Sequence, residues 1–137
     1  MALTHLLDTS VLKRLADPAV RDRVQPMAVA GALARPSICD LEVGYSARTE
    51  DEWVRLTSAL QAFERVDTDA SHVRRATQVQ RLLAARSQRG RKIPDLLVAA
   101  AAEIADLTVL HYDSDFDHIA AVTGQATEWV VPPGTIS

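Results

Sequence analysis

Leu6-Leu7-Asp8-Thr9-Ser10 is the stretch near the start of the chain where an apolar run ends in a carboxylate and two hydroxyls. The apolar residues predict a short buried strand over Thr4–Leu7, and the polar ones predict the start of a helix over Ser10–Ala16. In an open α/β sheet, ligands bind where a strand passes into the following helix. The stretch therefore places Asp8 at the mouth of a predicted active site.

Outward from this junction, short apolar runs alternate with helical patterns along the whole chain. The further predicted strands are Ser37–Cys39, Arg65–Asp67, Thr108–Leu110 and Trp129–Val131. The further predicted helices are Val20–Leu33, divided or kinked at Pro26, then Asp40–Ala47, Glu50–Phe63, Ala70–Arg89, Asp95–Ala105 and Asp113–Val122, with Ile93-Pro94 as an extended linker. This alternation predicts an α/β fold with a parallel sheet covered on both faces, and the length predicts a single domain over residues 1–137.

The composition excludes several classes of protein. Cys39 is the only cysteine, so a disulfide framework and a multi-thiolate metal site are excluded, and a reducing cytoplasm is expected. The longest run without a polar residue, Leu96–Ala102, is far too short to cross a bilayer. Aromatic residues make up only 4% of the chain, which argues against recognition of single-stranded nucleic acid by stacking and leaves recognition through phosphates open.

Acidic residues recur at the predicted junctions. They are Asp8, the pair Asp40 and Glu42, Asp95, and the run Asp113–Asp117. Each aspartate on its own is also explained as a helix N-cap. If the junctions meet at one sheet edge, however, their carboxylates repel each other unless a divalent cation is present. Oxygen ligands favour Mg²⁺ or Mn²⁺, whereas the single cysteine and unpaired histidines disfavour zinc.

Four motifs in this order resemble those of the PIN-domain ribonucleases, and among them the VapC-type toxins of toxin–antitoxin pairs. The motifs are Leu7–Ser10, Leu41–Ala47, Ile93–Ala100 and Leu110–Ala120, and the resemblance covers essentially the whole chain. It implies a three-layer PIN-like fold with a central parallel sheet of about five strands flanked by helices. It further implies metal-dependent hydrolysis of RNA phosphodiester bonds in transfer or ribosomal RNA, a small cognate antitoxin, and a homodimer.

The resemblance also assigns residues to the site. Asp8, Glu42, Asp95 and Asp113 are expected to be the catalytic metal-site carboxylates, with Asp115 as a further ligand close by. The second acid has two possible registers, and the other one selects Asp40, which precedes Leu41 and stands four residues before Gly44. Glu42 is preferred because its longer side chain can reach Asp8. Thr9 and Ser10 are expected either to support a ligand or to cap the first helix.

Basic residues are concentrated between Ala70 and Pro94, a segment that contains no acid although the whole chain has a net charge of -3. Arg89, Arg91 and Lys92 are expected to contact the RNA backbone; the alternative is a solvated helix face. Trp53, Leu56 and Leu60 are a candidate dimer face, or else part of the core.

A non-catalytic, magnesium-binding receiver-type signalling module is the alternative function. It would need a lysine near the last strands. The chain has only Lys13 and Lys92, neither of which is expected there, and this favours the nuclease.

Overall fold

A computed structural model describes residues 2–88 and 90–137. Its strands are β1 (His5–Leu7), β2 (Leu33–Pro36), β3 (Glu64–Val66), β4 (Thr108–His111) and β5 (Thr127–Trp129). Its helices are α1 (Thr9–Leu12), α2 (Pro18–Val29), α3 (Ser37–Tyr45), α4 (Glu50–Ser58), α5 (Ala70–Ala85), α6 (Ile93–Ile104) and α7 (Asp115–Thr123), and a 3₁₀ turn over Ala59–Ala62 follows α4. None of the helices in the described ranges is long and apolar enough to span a membrane.

The five strands form one parallel sheet in the order β3-β2-β1-β4-β5. In its centre, Leu6 lies opposite Ala34 of β2 on one side and opposite Val109 of β4 on the other. The chain adds strands on one side of β1 and then returns to the other side, so the order reverses between β1 and β4. Ligands bind at such switch points, beyond the carboxyl ends of the strands. The predicted central parallel sheet of five strands flanked by helices is confirmed.

The core lies between this sheet and its helices. Leu6, Leu7, Val109 and Leu110 are fully buried, as expected for central strands that are covered on both faces. The alanines at 99–102 are almost completely buried in α6, which contacts both β1 and β4. Their small side chains bring the α6 backbone close to the sheet, and this fixes the position of the residues in its first turn.

The second strand was predicted at the wrong residues. It covers Leu33–Pro36, whereas Ser37 already begins α3. Arg35 lies within the observed strand and outside the predicted one, and a charge is rarely buried in a strand. Its guanidinium is nevertheless satisfied, since Nε and Nη2 donate to Asp40 and Nη1 donates to the backbone carbonyls of Leu60 and Phe63.

Prolines caused two further errors. Pro26 lies inside α2, which continues to Val29 and is not divided. Pro94 belongs to the first turn of α6, so Ile93-Pro94 is not an extended linker. Proline is tolerated there because the first amide groups of a helix have no partner within the helix.

Several other boundaries were also wrong. The first helix ends at Leu12 rather than Ala16, and the predicted helix Glu50–Phe63 becomes α4 followed by the 3₁₀ turn. The long basic helix α5 ends at Ala85, and its predicted end, Arg89, lies outside the described residues. The last strand is Thr127–Trp129, not Trp129–Val131.

Candidate metal centre

Asp8 follows β1 directly and caps α1. Its Oδ2 accepts a hydrogen bond of 2.9 Å from the backbone N–H of Ser10. Asp8 is only 2% exposed, so its polar atoms are expected to have hydrogen-bond partners. Its buried Oδ1 nevertheless accepts no hydrogen bond from the described residues. The predicted cap and the predicted ligand are therefore compatible, because each uses a different oxygen of the same carboxylate.

Asp95 lies in the first turn of α6 and is also buried, at 4% exposure. Its Oδ2 has no hydrogen-bond partner within residues 2–88 and 90–137. The nearest positive charge is Lys92 Nζ, 3.8 Å from that oxygen. A buried carboxylate without a close partner is unfavourable unless a cation binds it.

Asp113 and Asp115 follow β4 and meet Asp95. Carboxylate oxygens of these three residues all lie within 4.8 Å of one another. Oδ1 of Asp113 accepts a hydrogen bond of 2.9 Å from the backbone N–H of Asp115, which fixes the loop that carries both. The structure thus brings acidic groups from three elements of the chain to the same edge of the sheet.

The pair Asp40 and Glu42 divides between two roles. Glu42 lines the same cavity as Asp8, Asp95 and Asp113, and its Oε1 accepts a hydrogen bond of 2.8 Å from Thr9 Oγ1. Asp40 instead forms an ion pair of 2.8 Å with the buried Arg35 and does not line that cavity. This geometry supports Glu42 as the second acid and gives Asp40 a structural role.

Thr9 and Ser10 hold the surrounding elements in place. Thr9 supports Glu42 through the hydrogen bond just described. The hydroxyl of Ser10 accepts a hydrogen bond of 2.8 Å from the backbone N–H of Tyr112, and so ties α1 to the loop after β4. Thr9 therefore contacts a candidate ligand, whereas the Ser10 hydroxyl fixes the backbone beside Asp113.

Burial dominates the electrostatics of the cleft. It raises the pKa of Asp8 above the ordinary value; hydrogen bonds from Ser10 oppose this, and the charges of Glu42 and Asp113 add to it. Burial, followed by the charge of Asp8, also raises the pKa of Asp95. Although burial acts on Asp113 too, its hydrogen bond with Lys92 brings the pKa of that carboxyl below the ordinary value.

Two of the basic residues expected to bind RNA form ion pairs with carboxylates of the candidate site. Lys92 Nζ is 2.6 Å from Asp113 Oδ2, and Arg91 Nη1 is 2.7 Å from Asp115 Oδ1. Arg89 lies outside the described residues. Both Arg91 and Lys92 are therefore neutralised by carboxylates of the candidate site, and their role in RNA binding stays a prediction.

Two basic residues of the cleft were missed from the sequence. Lys13 and Arg14 line the same cavity as the carboxylates. The guanidinium of Arg14 lies 5.0 Å from the centre of the Tyr112 ring and donates a hydrogen bond of 2.8 Å to the Ser10 carbonyl. Their position directly after α1, the short helix that Asp8 caps, was the signal available in the sequence.

Two other reactive groups beside the cleft are shielded. Burial lowers the pKa of His111 to about 4, and its ring packs against Phe116 and Trp129. Burial raises the pKa of the Cys39 thiol far above its usual range. Neither is therefore poised as a base or a nucleophile at neutral pH.

The carboxylate cleft fits a hard divalent cation. It has a volume of about 250 Å³, and two of its buried oxygens, Asp8 Oδ1 and Asp95 Oδ2, lack hydrogen bonds from the described part of the chain. Oxygen donors and an open space for water or phosphate suit Mg²⁺ or Mn²⁺. The residues that line the cleft are Asp8, Thr9, Ser10, Lys13, Arg14, Glu42, Lys92, Asp95, Tyr112 and Asp113.

Comparisons with known proteins identify a family and relatives for this chain. The sequence profile of the PIN domain matches residues 5–122. The chain is 68% identical over 136 residues to Ribonuclease VapC51 of Mycobacterium tuberculosis, with 99% of each chain covered. It is 45% identical over 137 residues to Ribonuclease VapC21 of the same species, with 98% of this chain and 99% of the relative covered. The crystal structure of DNA-bound VapBC from Salmonella typhimurium has the same fold, with a TM-score of 0.76 at 19% identity over 94% of this chain and 99% of that one.

Proposed function

The chain belongs to the PIN-domain family, and from this premise we propose that it is a metal-dependent endoribonuclease that acts as the toxin of a toxin–antitoxin pair. Ribonuclease relatives that match over nearly the full length support the RNA-cleaving activity. The observation that carries the metal dependence is the pair of buried, unpartnered carboxylate oxygens of Asp8 and Asp95, at the described edge of the sheet where the strand order reverses.

The ion would be held by Asp8, Asp95 and Asp113, with Glu42 and Asp115 at the sides of the same cleft. Asp8 and Asp95 each offer a buried oxygen, and the oxygens of Asp95, Asp113 and Asp115 are already within 4.8 Å of one another. When Mg²⁺ or Mn²⁺ is bound, it supplies Lewis acidity that lowers the pKa of the attacking water and offsets negative charge on the phosphate oxygens.

The other residues of the cleft orient these groups. Thr9 fixes Glu42, and Ser10 holds both the Asp8 carboxylate and the backbone of Tyr112. Asp113 and Asp95 lie on either side of Lys92, whose ammonium compensates their charge before an ion binds. If a cation held these carboxylates, Lys92 would be available for a phosphate of the RNA.

One argument against the receiver-type alternative no longer holds. The expectation that neither lysine lies near the acids of the last strands was wrong for Lys92, because its amine reaches Asp113. The chain nonetheless matches the PIN domain over most of its length, and its relatives carry the name of ribonucleases. These matches favour the nuclease.

An antitoxin is the proposed protein partner. Structural neighbours include toxin–antitoxin complexes, among them one from Klebsiella pneumoniae with a TM-score of 0.65 at 21% identity. A homodimer remains part of the proposal. Of the residues in the candidate dimer face, Trp53 is half exposed and can contribute to it, whereas Leu60 is buried and belongs to the core.

The test is cleavage of total RNA by the purified protein, with the new ends identified by sequencing. We expect Mn²⁺ or Mg²⁺ to permit cleavage at a small set of transfer or ribosomal RNA positions, and chelation to abolish it. Asp8→Asn should abolish cleavage without unfolding the protein, while Asp22→Asn, at an exposed position on α2, should leave it unchanged. Cleavage that persists in a chelator, or in Asp8→Asn, would contradict the proposal.

A further inference from the structure

A second cavity adjoins the carboxylate cleft on the side of α1 and α3. It has a volume of about 320 Å³ and is lined by Lys13, Ile38, Leu41, Glu42 and Tyr45. Lys13 and Glu42 also line the carboxylate cleft. A substrate strand that crosses the acids can therefore continue directly into this second cavity.

The α3 wall of the second cavity is an uncovered apolar face. Ile38, Leu41 and Tyr45 are spaced three and four residues apart and so lie on one side of the helix. Cys39 and Val43 face the core, whereas Leu41 is 72% exposed and Tyr45 is 91% exposed. Tyr45 is the most exposed of the aromatic residues that the structure describes, and its ring is free to stack.

Lys13 provides the charge at the border between the two cavities. It is exposed, and no carboxylate of the described residues forms an ion pair with it. Lys92, which also lines the carboxylate cleft, and its neighbour Arg91 are both paired with acids. A phosphate that enters between the cavities therefore meets a cation whose charge is not already neutralised within the described part of the chain.

We propose that this second cavity is a nucleotide subsite, in which Tyr45 stacks on one unpaired base of the RNA and Lys13 binds the phosphate between that base and the carboxylate cleft. The inference rests on the proposed function for its substrate class. Stacking on aromatic rings and backbone contacts to cations are the usual means of binding single strands. RNA is favoured over a protein partner because the apolar face continues into the cleft where the phosphodiester must lie, and because Lys13 at the junction is not paired with any acid of the described residues.

The low aromatic content of the chain is consistent with a single stacking position. It argues against an extended platform for many bases, and one exposed ring serves one base. Recognition of the remaining strand would then depend on phosphates. The subsite thus predicts that one base beside the cleaved bond must be unpaired, with little preference for its identity, because every base has a face that can stack.

The test is equilibrium binding of a labelled, mixed-sequence single-stranded RNA by fluorescence anisotropy in Mg²⁺. All variants carry Asp95→Asn, which keeps the RNA intact. Tyr45→Ala should weaken binding about 5- to 100-fold, the effect of losing one stacked base. Tyr45→Phe, which keeps the ring, should bind within about twofold of the parent protein. Val29→Ala, at an exposed apolar position on α2, is the matched control.

Lys13→Ala should lower the slope of log affinity against log salt by about 0.7, the value for one phosphate contact on a single strand. Arg21→Ala, exposed on α2, should leave the slope unchanged. Equal RNA affinity of Tyr45→Ala and the parent protein would overturn the proposal. So would loss of self-association or of antitoxin binding in Tyr45→Ala with RNA affinity unchanged, since the face would then be a protein interface. RNA that the protein with Asp95 intact binds in Mg²⁺ but does not cleave would contradict the proposed function alone.

Discussion

Asp95→Asn should make the metal-free protein more stable, although it removes a proposed ligand. Asp95 is almost completely buried, and its Oδ2 has no hydrogen-bond partner in the described residues. Asparagine has the same shape and no charge. The substitution therefore removes the unfavourable burial of a carboxylate and keeps the packing of the first turn of α6.

The magnitude follows from the pKa. Burial, together with the charge of Asp8, raises the pKa of Asp95 from 3.8 to about 8. A carboxyl with a raised pKa binds a proton more tightly in the folded state than in the unfolded state. Asp95 therefore does not lower the free energy of unfolding below about pH 4, and it lowers it increasingly as the pH rises to about 8. Each pH unit corresponds to about 1.4 kcal/mol, which sets an upper limit of about 4 kcal/mol at neutral pH. This shift already includes the opposing charge of Lys92, and the high effective dielectric of a cleft open to water reduces the penalty, so we expect about 2 kcal/mol.

Urea unfolding in a chelator measures this contribution. The free energy of unfolding of Asp95→Asn, minus that of the parent protein, should be close to zero near pH 4 and should rise by about 2 kcal/mol towards pH 8. Taking the difference removes the opposite effect of His111, whose lowered pKa makes both proteins less stable as the pH falls. Asp22→Asn should show no such pH dependence. A difference that does not change with pH, or a less stable Asp95→Asn near pH 8, would refute the argument.

Three further predictions follow from the cleft and its surroundings. Glu42→Gln should abolish RNA cleavage and leave the stability of the protein unchanged. Asp40→Asn should keep cleavage but lose about 2 kcal/mol of unfolding free energy, because the buried Arg35 loses a charged partner. The reverse pattern would assign the metal ligand to Asp40. Replacing both Arg91 and Lys92 by alanine should lower the salt dependence of RNA binding by about 1.4 in slope, about 0.7 for each phosphate contact, and an unchanged slope would exclude them from the RNA interface. Gly44→Ala should destabilise the protein by about 1–3 kcal/mol in thermal unfolding, since its Cβ would lie 2.6 Å from Trp53 Nε1; unchanged stability would mean that Trp53 moves freely.

The strand–helix alternation was enough to predict the parallel sheet, because apolar runs and helical spacing are local properties of the sequence. The second strand was missed for a non-local reason. Arg35 is tolerated in β2 only because Asp40 and the carbonyls of Leu60 and Phe63 receive its donors. No pattern within the strand itself contains that information.

The candidate acids could be predicted together, because each lies near a junction where a strand ends or a helix begins. In a parallel sheet these junctions meet at one edge. Their partners could not be predicted. Lys92 and Arg91 were expected to face RNA, but they pair with Asp113 and Asp115 because the loop after β4 lies beside the first turn of α6. Lys13 was overlooked because its importance comes from the cavity it shares with Glu42, which is distant in sequence.

Direct titration of the purified protein with Mn²⁺, followed by calorimetry, tests most directly the central claim that Asp8, Asp95 and Asp113 together hold a divalent cation. We predict that the parent protein binds Mn²⁺ and releases protons as it does so, because burial and the charge of Asp8 raise the pKa of Asp95 to about 8 and this carboxyl then carries a proton at neutral pH when no cation is bound. Asp8→Asn should bind Mn²⁺ at least about tenfold more weakly, and Asp40→Asn should bind it as the parent does. Equal Mn²⁺ affinity of Asp8→Asn and the parent protein would contradict the account.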